Sequence, residues 1–390
     1  MTDNLSIREQ EPSAKALLEE LADWGTQPFE QARALPPAVY LSQDVLGLEE
    51  QHIFKTDWIC VGRAESIPQP GDYMTCDLLD QPVMVIRGED HQIRAMSNVC
   101  LHRMSRLLEG TGCAKRITCP YHAWTYELDG RLRHAPHMEK SPAFCKQNYR
   151  LPAIQCEQWE GWIYVTLTPS PVPVATQLQP LFDTVVGRYR MANYVETFRE
   201  EHVWQTNWKV LAENFMESYH LFKLHRATVG PHSRVDEMQC PPGGEAFNYH
   251  WITKESSLAI GNAHPDNQHL KGEWRRTTAL ITIYPSHLVT LTPGYFWYLV
   301  LQPCGIDQVR IVYGGGMAPE YVNDERHGEY LEELKTLLDQ VNAEDKIGVK
   351  NVFRGMKSSL AKGGHLCHLE RPNYEFGQFL TRRICGSGGS

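Results

Sequence analysis

Two short stretches pair a thiol with an imidazole: Cys100-Leu-His102 and, after sixteen intervening residues, Cys119-Pro-Tyr-His122-Ala-Trp124. A sulfur and a nitrogen donor two or three positions apart can reach one metal centre from a single loop. A structural zinc site more often brings two cysteines together and closes a tetrahedron round one ion. Here each loop offers one donor of each kind, which suits a [2Fe-2S] cluster with two cysteines on one iron and two histidines on the other, zinc being the alternative. Neutral imidazoles in place of two thiolates raise the reduction potential, so the cluster accepts electrons from flavin or ferredoxin donors. Cys100, His102, Cys119 and His122 are the candidate ligands, and Cys113 between the loops reads as an ordinary thiol.

A second set of donors lies in Asn207-Trp-Lys-Val-Leu-Ala-Glu-Asn-Phe-Met-Glu217-Ser-Tyr-His220-Leu-Phe-Lys-Leu-His225. Histidines five apart do not share a face of a regular helix. They converge on one metal only if the helix ends, or bulges, between Leu221 and Leu224. A carboxylate from elsewhere completes a facial triad of two histidines and one acid, the arrangement that leaves positions open for dioxygen on non-haem Fe(II). Asp345 is the best candidate, with its neighbour Glu344 the alternative. Asn214 and Tyr219 are expected to be structural.

The two constellations together, from about residue 40 to 383, resemble the catalytic subunits of Rieske non-haem iron oxygenases. The resemblance implies an α+β chain, an all-β Rieske domain followed by a helix-grip, START-like catalytic domain. It implies a Rieske [2Fe-2S] cluster on Cys100, His102, Cys119 and His122, and a mononuclear Fe(II) on His220, His225 and Asp345. Glu217 then takes the place of the family's bridging carboxylate, hydrogen-bonding His220 of its own chain and His122 of a neighbour in a head-to-tail homotrimer. The glutamine that often precedes Arg-Gly in the family is Phe353 here. The implied function is that of a terminal oxygenase, using dioxygen and electrons that come ultimately from NAD(P)H to hydroxylate a small organic substrate. Glutamate at the bridging position is similar to relatives acting on carnitine and betaines, which leans toward monooxygenation or N-demethylation of a betaine-like compound. Two alternatives stay open: a ring-hydroxylating dioxygenase of an aromatic acid, and a non-catalytic Rieske electron-transfer or ligand-binding protein.

The elements that must position these residues fall into two territories. Before the proline-rich break Pro169-Ser-Pro-Val-Pro, runs such as 81–88 and 161–167 are β-branched or aromatic and bounded by Gly, Asp and Pro, as strands are. After it come a helix around Trp208 to His220, strand-like runs at 279–284, 296–301 and 309–313, and an amphipathic helix near Asp324 to Asn342. The expected division is an N-terminal helical segment at 1–45 packed on the body, a Rieske domain at 46–168, a catalytic iron domain at 175–385, and a linker scar at 386–390. Aromatic residues Tyr284, Tyr295, Phe296, Trp297 and Tyr298 supply candidate pocket surface; alternation sends Tyr295 and Trp297 one way, Phe296 and Tyr298 the other.

Composition narrows the class further. No apolar run approaches the roughly 20 residues of a membrane span and the N-terminus is polar, so a cytoplasmic protein is expected. Eleven scattered cysteines, an odd number, argue against a disulfide framework. A net charge of −9 argues against nucleic-acid partners. No dinucleotide fingerprint occurs, so a separate reductase or ferredoxin must supply electrons. Arg103, Arg106, Lys115, Arg116, Arg131 and Arg133 cluster round the cysteine loops, either as a docking patch for such an acidic donor or as a solvated face.

Overall fold

The computed structural model describes residues 13–386, so residues 1–12 of the N-terminal segment and 387–390 of the Gly/Ser tail lie outside it. The β-branched and aromatic runs pair into two seven-stranded antiparallel sheets. The first has the order Ile59–Arg63, Trp162–Thr166, Ala153–Trp159, Ile93–Ser97, Gln81–Arg87, Asp72–Leu78, Thr111–Cys113. A small three-stranded sheet, Ile117–Thr118, Thr125–Tyr126 and Leu132–His134, stands beside it. The second large sheet runs Val195–Trp204, Val309–Met317, Tyr295–Pro303, His287–Leu291, Thr277–Ile283, Phe247–Thr253, Met238–Gln239.

Helices cover the second sheet. Trp208–Met216 lies between the strands Thr277–Ile283 and Tyr295–Pro303 on one side and the 30-residue helix His327–Met356 on the other. That long helix buries Tyr330, Leu334, Leu338, Val341, Asp345, Val349 and Phe353, one stripe at spacings of three and four with a single charged member. It runs well past Asn342, because the same periodicity continues through the acidic stretch. The N-terminal helix Ala14–Gly25 buries Leu17, Leu21 and Trp24 against the C-terminal helix Arg371–Cys385. There the Trp24 and Tyr374 rings stand 5.7 Å apart, which places the segment on the second unit.

The two units share a core. Arg63, 1 % exposed, donates to the carbonyls of Tyr194 (2.7 Å) and Glu160 (3.2 Å) and lies over the rings of Trp162 and Phe296. Tyr164 and His287 hydrogen-bond across the same seam at 2.8 Å. A guanidinium taken out of water must fill its donors, and here backbone carbonyls and ring faces do so. All eleven cysteines are free, and among the described residues no helix is long and apolar enough to cross a membrane.

Candidate functional site

The two Cys/His loops have the same backbone. Each is closed at its base, by the bridge Val99 to Arg106 in one and the pair Thr118 to Thr125 in the other. In each the cysteine N–H reaches the carbonyl five residues on, Ser105 and Trp124, both at 2.8 Å. The cysteine carbonyl in turn accepts from Met104 (3.0 Å) or Ala123 (3.1 Å), both of which take φ 57°. Such left-handed turns on non-glycine residues cost energy and persist where a site requires them. They put Cys100 and Cys119, 1 % and 3 % exposed, over an apolar floor, with His102 and His122 above at a ring separation of 4.7 Å. Trp124 stacks on His102 at 4.8 Å, and Tyr126 Oη stands 3.3 Å from Cys100 Sγ while accepting the Leu101 N–H. His102 Nδ1 is buried without a partner among the described residues. An orphaned ring nitrogen beside two buried thiols is the donor set a cluster needs, with its histidine side outermost.

At the second centre the chain itself departs from a regular helix. Trp208–Met216, capped by the Asn207 side chain, ends at Glu217, whose backbone is extended (φ −127°, ψ 157°). The break therefore falls one turn earlier than expected, before His220, and His220 caps a separate one-turn helix, Leu221–Leu224, that ends at His225. The two rings now face each other, Nε2 to Nε2 at 3.2 Å, and Asp345 Oδ1 stands 3.0 Å from His225 Nε2 and 3.7 Å from His220 Nε2. Glu217 turns back on its own segment, taking the backbone N–H groups of Tyr219 and His220 on one oxygen and His220 Nδ1 on the other at 2.5 Å. Glu344 Oε2 does the same for His225 Nδ1 (2.7 Å) and the Thr228 hydroxyl (2.6 Å).

This pattern fixes the tautomers. With each Nδ1–H given to a carboxylate, both Nε2 atoms present lone pairs to each other and to the Asp345 carboxylate. Three acceptors within 4.8 Å repel unless a cation lies between them. Burial opposes a charge on His225, but Asp345 and Glu344 outweigh it and hold its pKa above the ordinary value, so the field favours positive charge at this point. The donors thus fit a two-histidine, one-carboxylate iron site.

A cavity of about 310 Å³ opens beside this triad. Tyr295 and Trp297 line it together with Phe215, whose ring is 5.8 Å from that of Trp297. Phe296 and Tyr298, on the other face of the strand, pack on Trp162 as alternation requires. Tyr284 lies elsewhere, stacked on Phe379. Asn214 belongs to the site after all: it lines the cavity and stands 3.3 Å from His220 Nε2, whereas Tyr219 is exposed beside Phe222.

Several supports carry no sequence motif. His250 hydrogen-bonds Ser218 at 2.7 Å, and burial, followed by the charge of His220, pushes its pKa down to about 3. The buried pair Glu49 and Lys209 (2.6 Å), with Trp208 donating to the same carboxylate at 2.7 Å, ties the start of the Trp208–Met216 helix to the helix Gln43–Glu49. The basic cluster is largely neutralised locally: Arg106 pairs with Asp77, Arg116 and Arg133 with Glu127, and Arg131 with Asp129.

Comparison with known proteins agrees with this architecture. Residues 57–154 match the Rieske [2Fe-2S] domain, and residues 191–386 match the ring hydroxylating alpha subunit, catalytic domain. The carnitine monooxygenase oxygenase subunit of Acinetobacter baumannii is 35 % identical over 343 residues, 85 % of this chain and 87 % of that one. The glycine betaine monooxygenase oxygenase subunit of Pseudomonas aeruginosa is 32 % identical over 249 residues, 63 % of this chain and 56 % of that one. A crystal structure of a quaternary ammonium Rieske monooxygenase with L-carnitine shares the fold with a TM-score of 0.80 at 23 % identity, covering 93 % of this chain and 98 % of that one. Zinc and a non-catalytic carrier drop out as alternatives. The chain belongs to the Rieske ring-hydroxylating oxygenases as an oxygenase (alpha) subunit, an α+β oxidoreductase whose cofactors are a [2Fe-2S] cluster and a mononuclear iron and whose electrons arrive through a separate reductase.

Proposed function

We propose that this oxygenase hydroxylates a small quaternary ammonium compound at a C–H bond next to nitrogen. One oxygen atom enters that bond and the other leaves as water, the electrons coming from the reductase. The resulting carbinolamine breaks at C–N, giving an aldehyde and an amine. The observation that carries the reading is the wall of Phe215, Tyr295 and Trp297 in the cavity that His220, His225 and Asp345 share. Ring faces attract an alkylammonium group while offering it no water. The names of the relatives, acting on carnitine and glycine betaine, point the same way.

In this reading Cys100, His102, Cys119 and His122 hold the cluster, and His220, His225 and Asp345 hold the iron. The bound metals supply electron storage and dioxygen activation. The chain's own part is orientation: Glu217 holds the Nδ1 proton of His220 and Glu344 that of His225, so both Nε2 lone pairs stay aimed at one point. The functional unit is a head-to-tail trimer in the cytoplasm, with His122 of one chain beside Glu217 of the next. Exposed Met104 and Tyr121 on the cluster face, and Tyr219 and Phe222 beside the iron site, suit such an interface. The domain limits are 46–168 and 175–385.

The test is a single turnover of reduced, iron-replete protein with oxygen-18 gas and a pooled panel of betaines and aromatic acids, read by mass spectrometry. An aldehyde and an amine from a betaine support the reading. A doubly labelled diol from an aromatic acid replaces it with ring dioxygenation.

A further inference from the structure

The cavity floor is one face of the second sheet, and its chemistry changes along the strands. The rung nearest the metal triad is formed by His250, Leu280, Thr290 and Trp297, paired across four strands, with His250 fixed to Ser218. The next rung offers Ile252, Thr278 and Tyr295 to the cavity. Two residues beyond Ile252 on the same face comes Lys254, whose N–H continues the ladder by bonding the Arg276 carbonyl at 3.0 Å. At about 3.3 Å per residue its backbone lies about 13 Å along the strand from His250, and the long side chain can reach part of the way back.

Among the described residues, Lys254 is the only lysine or arginine lining the cavity, whose two carboxylates, Glu217 and Asp345, lie at the opposite end. Its ammonium donates to Ser233 Oγ at 3.2 Å and, among the described residues, makes no ion pair. Burial lowers its pKa, with the charge of Glu237 acting against this, so the group is partly desolvated and has only a through-space carboxylate, not a direct ion pair, to balance it. The same floor holds two further unfilled donors: Thr290 Oγ1 and Trp297 Nε1, side by side across their strands, are buried without a partner among the described residues. A pocket with a half-buried cation and orphaned N–H and O–H groups is built for a molecule with acceptor oxygens.

We propose that Lys254 binds a carboxylate of the substrate, so that this enzyme takes organic carboxylates, with the anionic end at Lys254 and the carbon to be oxidised at the metal triad. Resting on the quaternary ammonium reading, this narrows the substrate to an ammonium carboxylate and disfavours the corresponding amino alcohol. The ammonium group then sits among the rings and the chain between the two charges spans the middle rung.

Calorimetric titration of the cluster- and iron-loaded protein with glycine betaine, L-carnitine, choline and benzoate tests this for wild type, Lys254→Met and Lys254→Arg. Glycine betaine and choline differ only in having a carboxylate or an alcohol. The wild type should bind the carboxylates. Lys254→Met should weaken them about ten- to thirtyfold, between the value of an exposed pair and that of a buried one. Lys254→Arg should retain them within about threefold, and choline should bind all three proteins alike. Carboxylates bound as tightly by Lys254→Met as by wild type, with the cluster spectrum intact, overturn the assignment, as does a wild type that binds choline but none of the carboxylates, or binds nothing. Betaines bound independently of Lys254 would sink this inference and leave the ammonium reading standing. Benzoate alone bound, and lost in Lys254→Met, would do the reverse.

Discussion

Glu344 sits at the hinge of the account, because it and Asp345 approach His225 from opposite sides of one ring. Its Oε2 takes His225 Nδ1 at 2.7 Å and the Thr228 hydroxyl at 2.6 Å, while Asp345 Oδ1 lies 3.0 Å from Nε2. Glu344→Ala leaves His220, His225 and Asp345 in place but frees the imidazole to turn and to change tautomer. The charge-assisted bond it removes is worth about 1.5–3 kcal/mol when fully dry. The side chain is 22 % exposed, so water replaces part of it. Loss of such an orienting partner should lower iron affinity about ten- to a hundredfold, or about 1.4–2.7 kcal/mol. Glu344→Gln, whose carbonyl oxygen can accept both hydrogen bonds, should lose less, about three- to tenfold. Anaerobic Fe(II) titration against a competing chelator measures this, with the cluster absorption as internal reference. Asp345→Ala should lose mononuclear iron outright. The reverse pattern, iron absent from Glu344→Ala and retained by Asp345→Ala, would make Glu344 the ligand and refute the reasoning.

Glu217→Gln should keep both metal centres, since the amide can still hold His220, yet slow product formation by at least about tenfold; unchanged turnover would remove the bridging role. Lys209→Met leaves Glu49 buried and unpaired, 0 % exposed, and should cost about 3–5 kcal/mol in a denaturant melt, whereas a loss under about 1 would show the pair to be dispensable. His287 is held neutral by burial, and secondarily by the charge of Arg63, with its pKa lowered to about 3. Below about pH 6.5 the unfolded chain takes up a proton at this residue that the folded one refuses. Its share of stability is therefore complete above that pH and falls by up to about 1.4 kcal/mol per pH unit on acidification toward 3. His287→Gln, which can keep the contact to Tyr164 but cannot charge, should flatten the acid side of the stability profile, and an unchanged slope would place the sensitivity elsewhere.

The residues of both donor sets, which the structure brings together, stand out in the sequence because such chemistry depends on residue type and short spacing. The break that lets His220 and His225 converge was anticipated but misplaced. What ends the helix is Glu217 folding back onto the N–H groups of Tyr219 and His220, a local competition that no hydrophobic period reveals. The preference for Asp345 over its neighbour Glu344 has a further ground in the helix pattern. Carrying the stripe Tyr330, Leu334, Leu338, Val341 onward to Val349 and Phe353 puts position 345 on the buried face and 344 beside it. It also shows that Phe353 fills a core position there. Lys254, Thr290 and Trp297 could not be grouped in advance, because only strand register brings residues so far apart in the chain onto one floor.

The most direct test of the central claim is to count metals and read spectra in the same samples. Iron and sulfide analysis of wild type should give about three irons and two inorganic sulfides per chain, with the optical and resonance signature of a histidine-ligated cluster. His220→Ala should retain about two irons and an unchanged cluster signature, and Cys119→Ser should lose the cluster. A His220→Ala protein that still holds the third iron, or a Cys119→Ser protein that keeps the cluster absorption, would contradict the assignment of these residues to two separate centres.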